Sequence, residues 1–145
     1  DMYRGLPRLG AYEKAVERLK IPLCYNGNLF SVEDYMRFTR RFPETDRFMY
    51  GRGLITNPGM VNALREEKQP GKDILREFHD CLQEEYRQLL SGERNVLFRM
   101  KELWSYMAAG FTNYEKYAKK IKKSQHLSEY QAAVSNLFAE QDLIW

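Results

Sequence analysis

Two short stretches of this chain carry the residue types that hold an anion: Asn26-Gly27-Asn28 and Gly51-Arg52-Gly53. Glycine lets the backbone come close to a ligand or take angles that a Cβ forbids, and Arg52 adds a charged contact. The chemistry that suits them is the grip of a phosphate group. Each stretch ends a brief apolar run, Ile21-Pro22-Leu23-Cys24-Tyr25 before the first and Phe48-Met49-Tyr50 before the second. At the C-terminal tip of a parallel strand the amides that follow point outward together, which makes an anion site. Ordinary turns are the alternative for either stretch alone. Two such tips, one crossover helix apart, point to halves of one site.

The flanking residues predict the elements that would position them. Pro7 suits a first helical turn, and Leu9, Tyr12, Val16 and Leu19 recur at helical spacing until Ile21-Pro22. Ser31 before Val32-Glu33-Asp34 is a helix start, and Val32, Tyr35, Met36 and Phe42 keep one face apolar until Pro43. Helix, strand, helix, strand is the order, and its βαβ part requires parallel strands and a right-handed crossover. Beyond Gly53 no strand-like segment follows, Thr56-Asn57-Pro58 opens a helical run, and a boundary is expected near residue 60.

Four further helices carry their own signals. Ile74, Leu75, Phe78, Leu82, Tyr86, Leu89 and Leu90 line one face of the first; Val96, Leu97, Met100, Leu103, Trp104, Met107 and Ala108 line the second, with Gly110 placed as its C-terminal cap. Thr112-Asn-Tyr-Glu115 and Ser128-Glu-Tyr-Gln131 match capping boxes and mark two more starts.

A second chemistry is electrostatic. Lys116, Lys119, Lys120 and Lys123 recur at i, i+3, i+4 and i+7 opposite Tyr114, Tyr117, Ala118 and Ile121. The stripe is either a solvated face or a set of contacts to RNA phosphates, which position a ligand without reading its sequence. His79 and His126 have no partner at catalytic spacing and read as surface or helix-end residues; Cys24 and Cys81 read as reduced packing residues, and Trp104 as core.

With 145 residues, 43% hydrophobic and 14% aromatic, the chain has material for one ordinary core. A charge of +3 is too small to announce a nucleic-acid binder by itself. No apolar run is long enough for a membrane span and DMYRGLPRLG lacks a signal peptide's apolar stretch, so a cytoplasmic protein is expected. Asp1 in place of Met fits a removed tag or a chain that begins partway into a larger protein.

Ile21-Pro22-Leu23-Cys24-Tyr25-Asn26-Gly27-Asn28-Leu29-Phe30-Ser31 and Met49-Tyr50-Gly51-Arg52-Gly53-Leu54-Ile55-Thr56-Asn57-Pro58 resemble the end of the barrel of the tRNA-dihydrouridine synthases. That family reads approximately Ile-Pro-Val-x-x-Asn-Gly-Asp-Ile-x-Ser before its seventh crossover helix and Met-x-Gly-Arg-Gly-x-x-x-Asn-Pro after it. Tyr3-Arg4-Gly5 also resembles a Tyr-x-Gly that precedes this region. Asn28 departs from the family's usual Asp. Of a helical pattern Arg-Lys-His-x-x-Trp-Tyr, only Lys101 and Tyr106 are kept in register.

The resemblance implies the last β-α-β portion of a TIM (β/α)8 barrel over residues 1–59, followed by a helical tRNA-binding domain over 60–145, mostly α overall. It implies FMN, with its phosphate held by Asn26, Gly27, Asn28, Gly51 and Arg52, and NADPH as the reductant of the full-length enzyme. It implies tRNA as partner, with Lys101 joining Lys116, Lys119, Lys120 and Lys123 as RNA contacts. The family's general-acid cysteine lies in an upstream Asn-x-Gly-Cys-Pro that neither Cys24 nor Cys81 matches, so the chain is expected to be inactive alone and to self-associate over its exposed strands. A non-catalytic helical RNA-binding module, or a barrel enzyme for another phosphorylated small molecule, are the alternatives.

Overall fold

The computed structural model describes residues 5–66 and 68–145, so Tyr3 and Arg4 lie outside the described residues. In the described N-terminal part, Leu9 and Tyr12 of the first predicted helix and Tyr35 and Phe42 of the second close on a two-stranded sheet, while Met36, read into the same face of the second, is exposed. Helix α1 (Leu9–Arg18) precedes β1 (Cys24–Tyr25), and α2 (Val32–Arg41) crosses to β2 (Arg47–Phe48). The strands are parallel, with Cys24 opposite Arg47 and Tyr25 opposite Phe48, as a βαβ unit requires. Both are shorter than the apolar runs predicted. Pro22 has no amide proton to give a ladder, and the last rung is the bond from Met49 N–H to the Tyr25 carbonyl at 2.9 Å.

Ser31 caps α2 as expected, its hydroxyl accepting the Asp34 amide at 3.1 Å. Tyr25, Leu29, Phe38, Phe42 and Met60 form the buried centre here, with Tyr12 set edge-on to Tyr25 and to Phe42. Only half of the α1 stripe is used: Leu9 and Tyr12 reach this core, while Val16 and Leu19 face solvent. The outer side of the sheet is bare, with Cys24 and Arg47 exposed and Met49 53% exposed. Cys24 is therefore free but not a packing residue, and Cys81 is exposed as well, which corrects the reading of both.

The chain beyond Tyr50 is helical. Gly51 leads into a short α3 (Arg52–Thr56), then α4 (Met60–Glu66), α5 (Lys72–Leu89), α6 (Glu93–Met107), a 3-10 turn (Ala108–Gly110), α7 (Glu115–Lys123) and α8 (Leu127–Glu140). The second core gathers on α6, α7 and α8 around Met100, Trp104, Met107, Tyr117, Ile121, Tyr130 and Leu137. The two cores trade residues across position 60. Met60 and Leu64 pack into the first, Ile55 packs against the second, and the Thr56 hydroxyl donates to the Tyr106 carbonyl at 3.2 Å.

Neither capping box forms as predicted. Thr112 turns to the C-terminal segment instead: its N–H donates to the Asp142 carbonyl at 2.8 Å, its hydroxyl accepts the Asp142 amide at 3.2 Å, and α7 starts at Glu115 without a side-chain cap. Helix α8 starts at Leu127, which puts Ser128 inside it; Glu129 still reaches back, accepting the Gln125 amide at 2.8 Å. Gly110 ends the 3-10 turn that continues α6 and is buried beneath the Trp145 ring, which leaves no room for a Cβ. These contacts strap the C-terminus across the junction of the two cores, joined by the bond from Ile144 N–H to the Gly110 carbonyl at 3.0 Å.

Candidate functional site

The parallel pairing sets both strand tips at the same end of the sheet. Asn26-Gly27-Asn28 and Gly51-Arg52-Gly53 line one open pocket of about 370 Å³, together with Arg8. A hydrogen bond from the Arg52 guanidinium to Asn28 Oδ1, 2.9 Å long, ties one tip to the other. No carboxylate lines the pocket among the described residues, so its donor set is two guanidinium groups and two side-chain amides. That set fits a phosphate, for which charged hydrogen bonds are the strong ones.

The glycines do different jobs than sequence alone implies. A Cβ on Gly53 would collide with the Leu29 carbonyl oxygen, and one on Gly27 with the Tyr25 phenol, so these two serve packing. Only Gly51 has open space where a Cβ would stand, and it alone of the three fits the argument of ligand approach. Arg8 was not predicted. Nothing local marks it; Pro7 and the start of α1 bring it beside the tips.

The lysines divide. All four of the α7 stripe are exposed, and Tyr117 and Ile121 are buried opposite them. Lys116 lies 3.6 Å from Glu140 and 4.6 Å from the centre of the Tyr117 ring, whose hydroxyl also bonds Glu140. Lys120 and Lys123 line a groove against α8 with Glu129 and Asn136. Lys119 instead faces α6, in a groove it shares with Lys101 and Lys122. Lys101 has a structural bond as well, donating to the Ser124 carbonyl at 2.7 Å, where cations suit the C-terminus of α7.

His79, expected at the surface, is 1% exposed. It belongs to a buried chain whose hydrogens can be assigned from one fixed donor. The Trp104 indole can only donate, and it does so to the Tyr130 hydroxyl at 2.7 Å. Tyr130 then gives its own hydrogen to His79 Nε2 at 2.6 Å, which leaves Nδ1–H facing Asp80 at 2.7 Å. Burial is the largest influence on His79 and lowers its pKa from the usual 6.5, against the opposing pull of Asp80. Burial pushes Asp80 up, but bonds from Arg76 and His79 outweigh it and hold the carboxyl below its usual value.

A histidine kept neutral by folding contributes its full share above 6.5, and loses it as pH falls toward the lowered folded value, because only the unfolded chain then takes the proton. The slope for one group cannot exceed about 1.4 kcal/mol per pH unit. The stability gap between the wild type and His79→Gln should therefore narrow on acidification below 6.5, read by urea unfolding at several pH values. A gap independent of pH contradicts this.

Fold and site together define a class: a pocket lined by Asn, Gly and Arg at the tips of two parallel strands, continued by a mainly helical bundle. A family model described as Dihydrouridine synthase (Dus) matches residues 8–141, and the chain belongs to that family. No curated protein sequence matches the chain. Members of the family are flavin-dependent oxidoreductases that act on tRNA, so the function of this chain is related to dihydrouridine synthesis. Among the described residues no helix is long and apolar enough to cross a membrane, and no cluster of His, Cys, Asp and Glu could hold a metal ion.

Proposed function

We propose that the chain is the C-terminal part of a cytoplasmic tRNA-dihydrouridine synthase, with residues 1–59 as the last two strands of its barrel and 60–145 as its tRNA-binding helical domain. The observation that carries this reading is the single pocket lined by both strand tips within the family match. In α/β barrels a phosphate site built from the loops after the seventh and eighth strands is a recurrent feature. Asn26, Asn28 and Arg52, with Gly51 and Gly27 at the turns, would hold the phosphate of FMN.

Bound there, FMN would supply hydride transfer to the uracil ring. This chain's own residues orient: Arg52, tied to Asn28, neutralises the phosphate and fixes one end of the cofactor. Neither cysteine is placed to donate a proton to a base held at the strand tips, Cys24 being exposed on the outer side of the sheet and Cys81 on α5. A proton donor and the reductant NADPH belong to the rest of the enzyme. That rest would also cover the bare sheet; self-association is the cover available to the chain by itself.

The complete protein that carries this chain should release stoichiometric FMN on denaturation, read by fluorescence, and should restore dihydrouridine to tRNA taken from cells that lack it. Absence of flavin overturns the proposal. RNA binding without flavin would then favour a helical RNA-binding module, and turnover of a free phosphorylated metabolite a different barrel enzyme.

A further inference from the structure

Helix α6 carries an aromatic residue out of step with its apolar stripe. Val96, Leu97, Met100, Trp104 and Met107 turn inward, whereas Phe98 is 68% exposed. It stands where two cavities meet. One, about 600 Å³, lies between the start of α6 and the turn joining α7 to α8, and Arg94 and Lys101 line it. The other, about 790 Å³, runs between α6 and α7, and Lys101, Lys119 and Lys122 line it. Phe98 and Lys101 line both, so the two cavities adjoin along α6 as parts of one groove, with the exposed ring between them.

The charges of the groove favour an anionic occupant. Two carboxylates, Glu93 and Glu102, also line it, and Glu102 is paired with Arg99 at 3.1 Å. Among the described residues Glu93 makes no ion pair, so Arg94, Lys101, Lys119 and Lys122 face one unpaired acid. The Lys101 ammonium has three hydrogens, and its bond to the Ser124 carbonyl uses one and holds the ammonium at the groove. An exposed ring between cations is the arrangement by which single-stranded nucleic acid is held, bases stacking on the ring while the backbone follows the positive charges.

Resting on the tRNA-binding reading above, we propose that this groove binds an unpaired stretch of RNA, with one base stacked on Phe98 and the flanking phosphates near Arg94, Lys101, Lys119 and Lys122. This moves the RNA path from the row of Lys116, Lys120 and Lys123 to the opposite flank of α7. A paired helix fits poorly, because its bases are already stacked on one another and offer no free face to a protruding ring.

The test uses the 145-residue chain and three probes: an unmodified tRNA transcript, a single-stranded oligouridine and a fully paired RNA duplex. Phe98→Ala should weaken binding of the transcript and the oligouridine by about ten-fold, within the range of aromatic stacking on a base. Phe98→Trp should preserve it. Because stacking releases no counterions, Phe98→Ala should leave the salt dependence unchanged, whereas the double change Lys119→Ala with Lys122→Ala should reduce the log-log slope by about 1.4–1.8. Unchanged affinity in Phe98→Ala, or a duplex bound as well as the transcript, overturns the groove. The flavin measurement above is independent: loss of FMN from the complete protein sinks the enzyme reading and leaves this result standing, and the reverse holds too.

Discussion

Replacing Trp104 with alanine should lower the unfolding free energy by about 3–5 kcal/mol, a large share of the roughly 5–15 kcal/mol that holds a domain folded. The side chain is 2% exposed at the centre of the second core. It lies edge-on to Phe138, with ring centres 6.1 Å apart, and beside Phe111 at 6.2 Å. Its indole N–H is also the donor that sets the direction of the Tyr130 and His79 hydrogen bonds. Alanine leaves both a cavity and a Tyr130 oxygen without that donor. Trp104→Phe removes the donor and about a third of the ring, leaving a smaller void and the Tyr130 oxygen without its partner, for a cost of about 1–3 kcal/mol. Denaturant midpoints should therefore fall in the order wild type, Trp104→Phe, Trp104→Ala. A loss under about 1 kcal/mol for alanine would mean that the core does not depend on this ring.

The loss should reach the other half of the molecule. Helix α3, which follows directly from Gly51, packs against α6, and Thr56 is bonded to the Tyr106 carbonyl. A destabilised α6 therefore loosens the segment that carries Arg52, although Trp104 itself touches none of the pocket.

Much of this was legible before any coordinates. Helical spacing located the face of α6 and most of that of α5, because a core stripe repeats with the period of the helix whatever it packs against; on α5 Leu75, Phe78, Leu82, Tyr86 and Leu90 turn inward, whereas Ile74 and Leu89, read into the same face, are exposed at its two ends. Ser31 announced its cap because that interaction is local. Thr112 and Ser128 mislead because other partners win: the Asp142 backbone claims Thr112, and the turn at Gln125, held by Glu129, starts α8 two residues earlier than a Ser128 cap would. His79 was misread for a similar reason. Its partner Tyr130 lies 51 residues away, and no local rule reports a bond of that span.

The site was legible in its types more than in its reasons. Both glycine-bearing tips were visible and do converge, yet Gly27 and Gly53 are small to accommodate Tyr25 and the Leu29 carbonyl, contacts that exist only after folding. Arg8 could not be found because a lone arginine after a proline has no signature. Phe98 had one: it breaks the stripe of α6, and an aromatic residue off the buried face asks for another partner. The lysine row looked single because α7 was considered alone; with α6 on one side and α8 on the other, its two edges face different grooves.

The phosphate clamp is tested most directly by Arg52→Ala in the full-length enzyme, comparing FMN with riboflavin, which lacks the phosphate. Arg52 crosses from one tip to the other and, with Arg8, gives the pocket its positive charge, so on the proposed reading its removal should weaken FMN by about 10- to 100-fold, the range of a hydrogen bond to a charged group. Riboflavin should bind wild type and variant alike, because it has no phosphate for Arg52 to meet. The expected result is thus a preference for FMN over riboflavin that shrinks by that factor in the variant. A preference that survives Arg52→Ala intact would contradict the assignment of the strand tips to the phosphate.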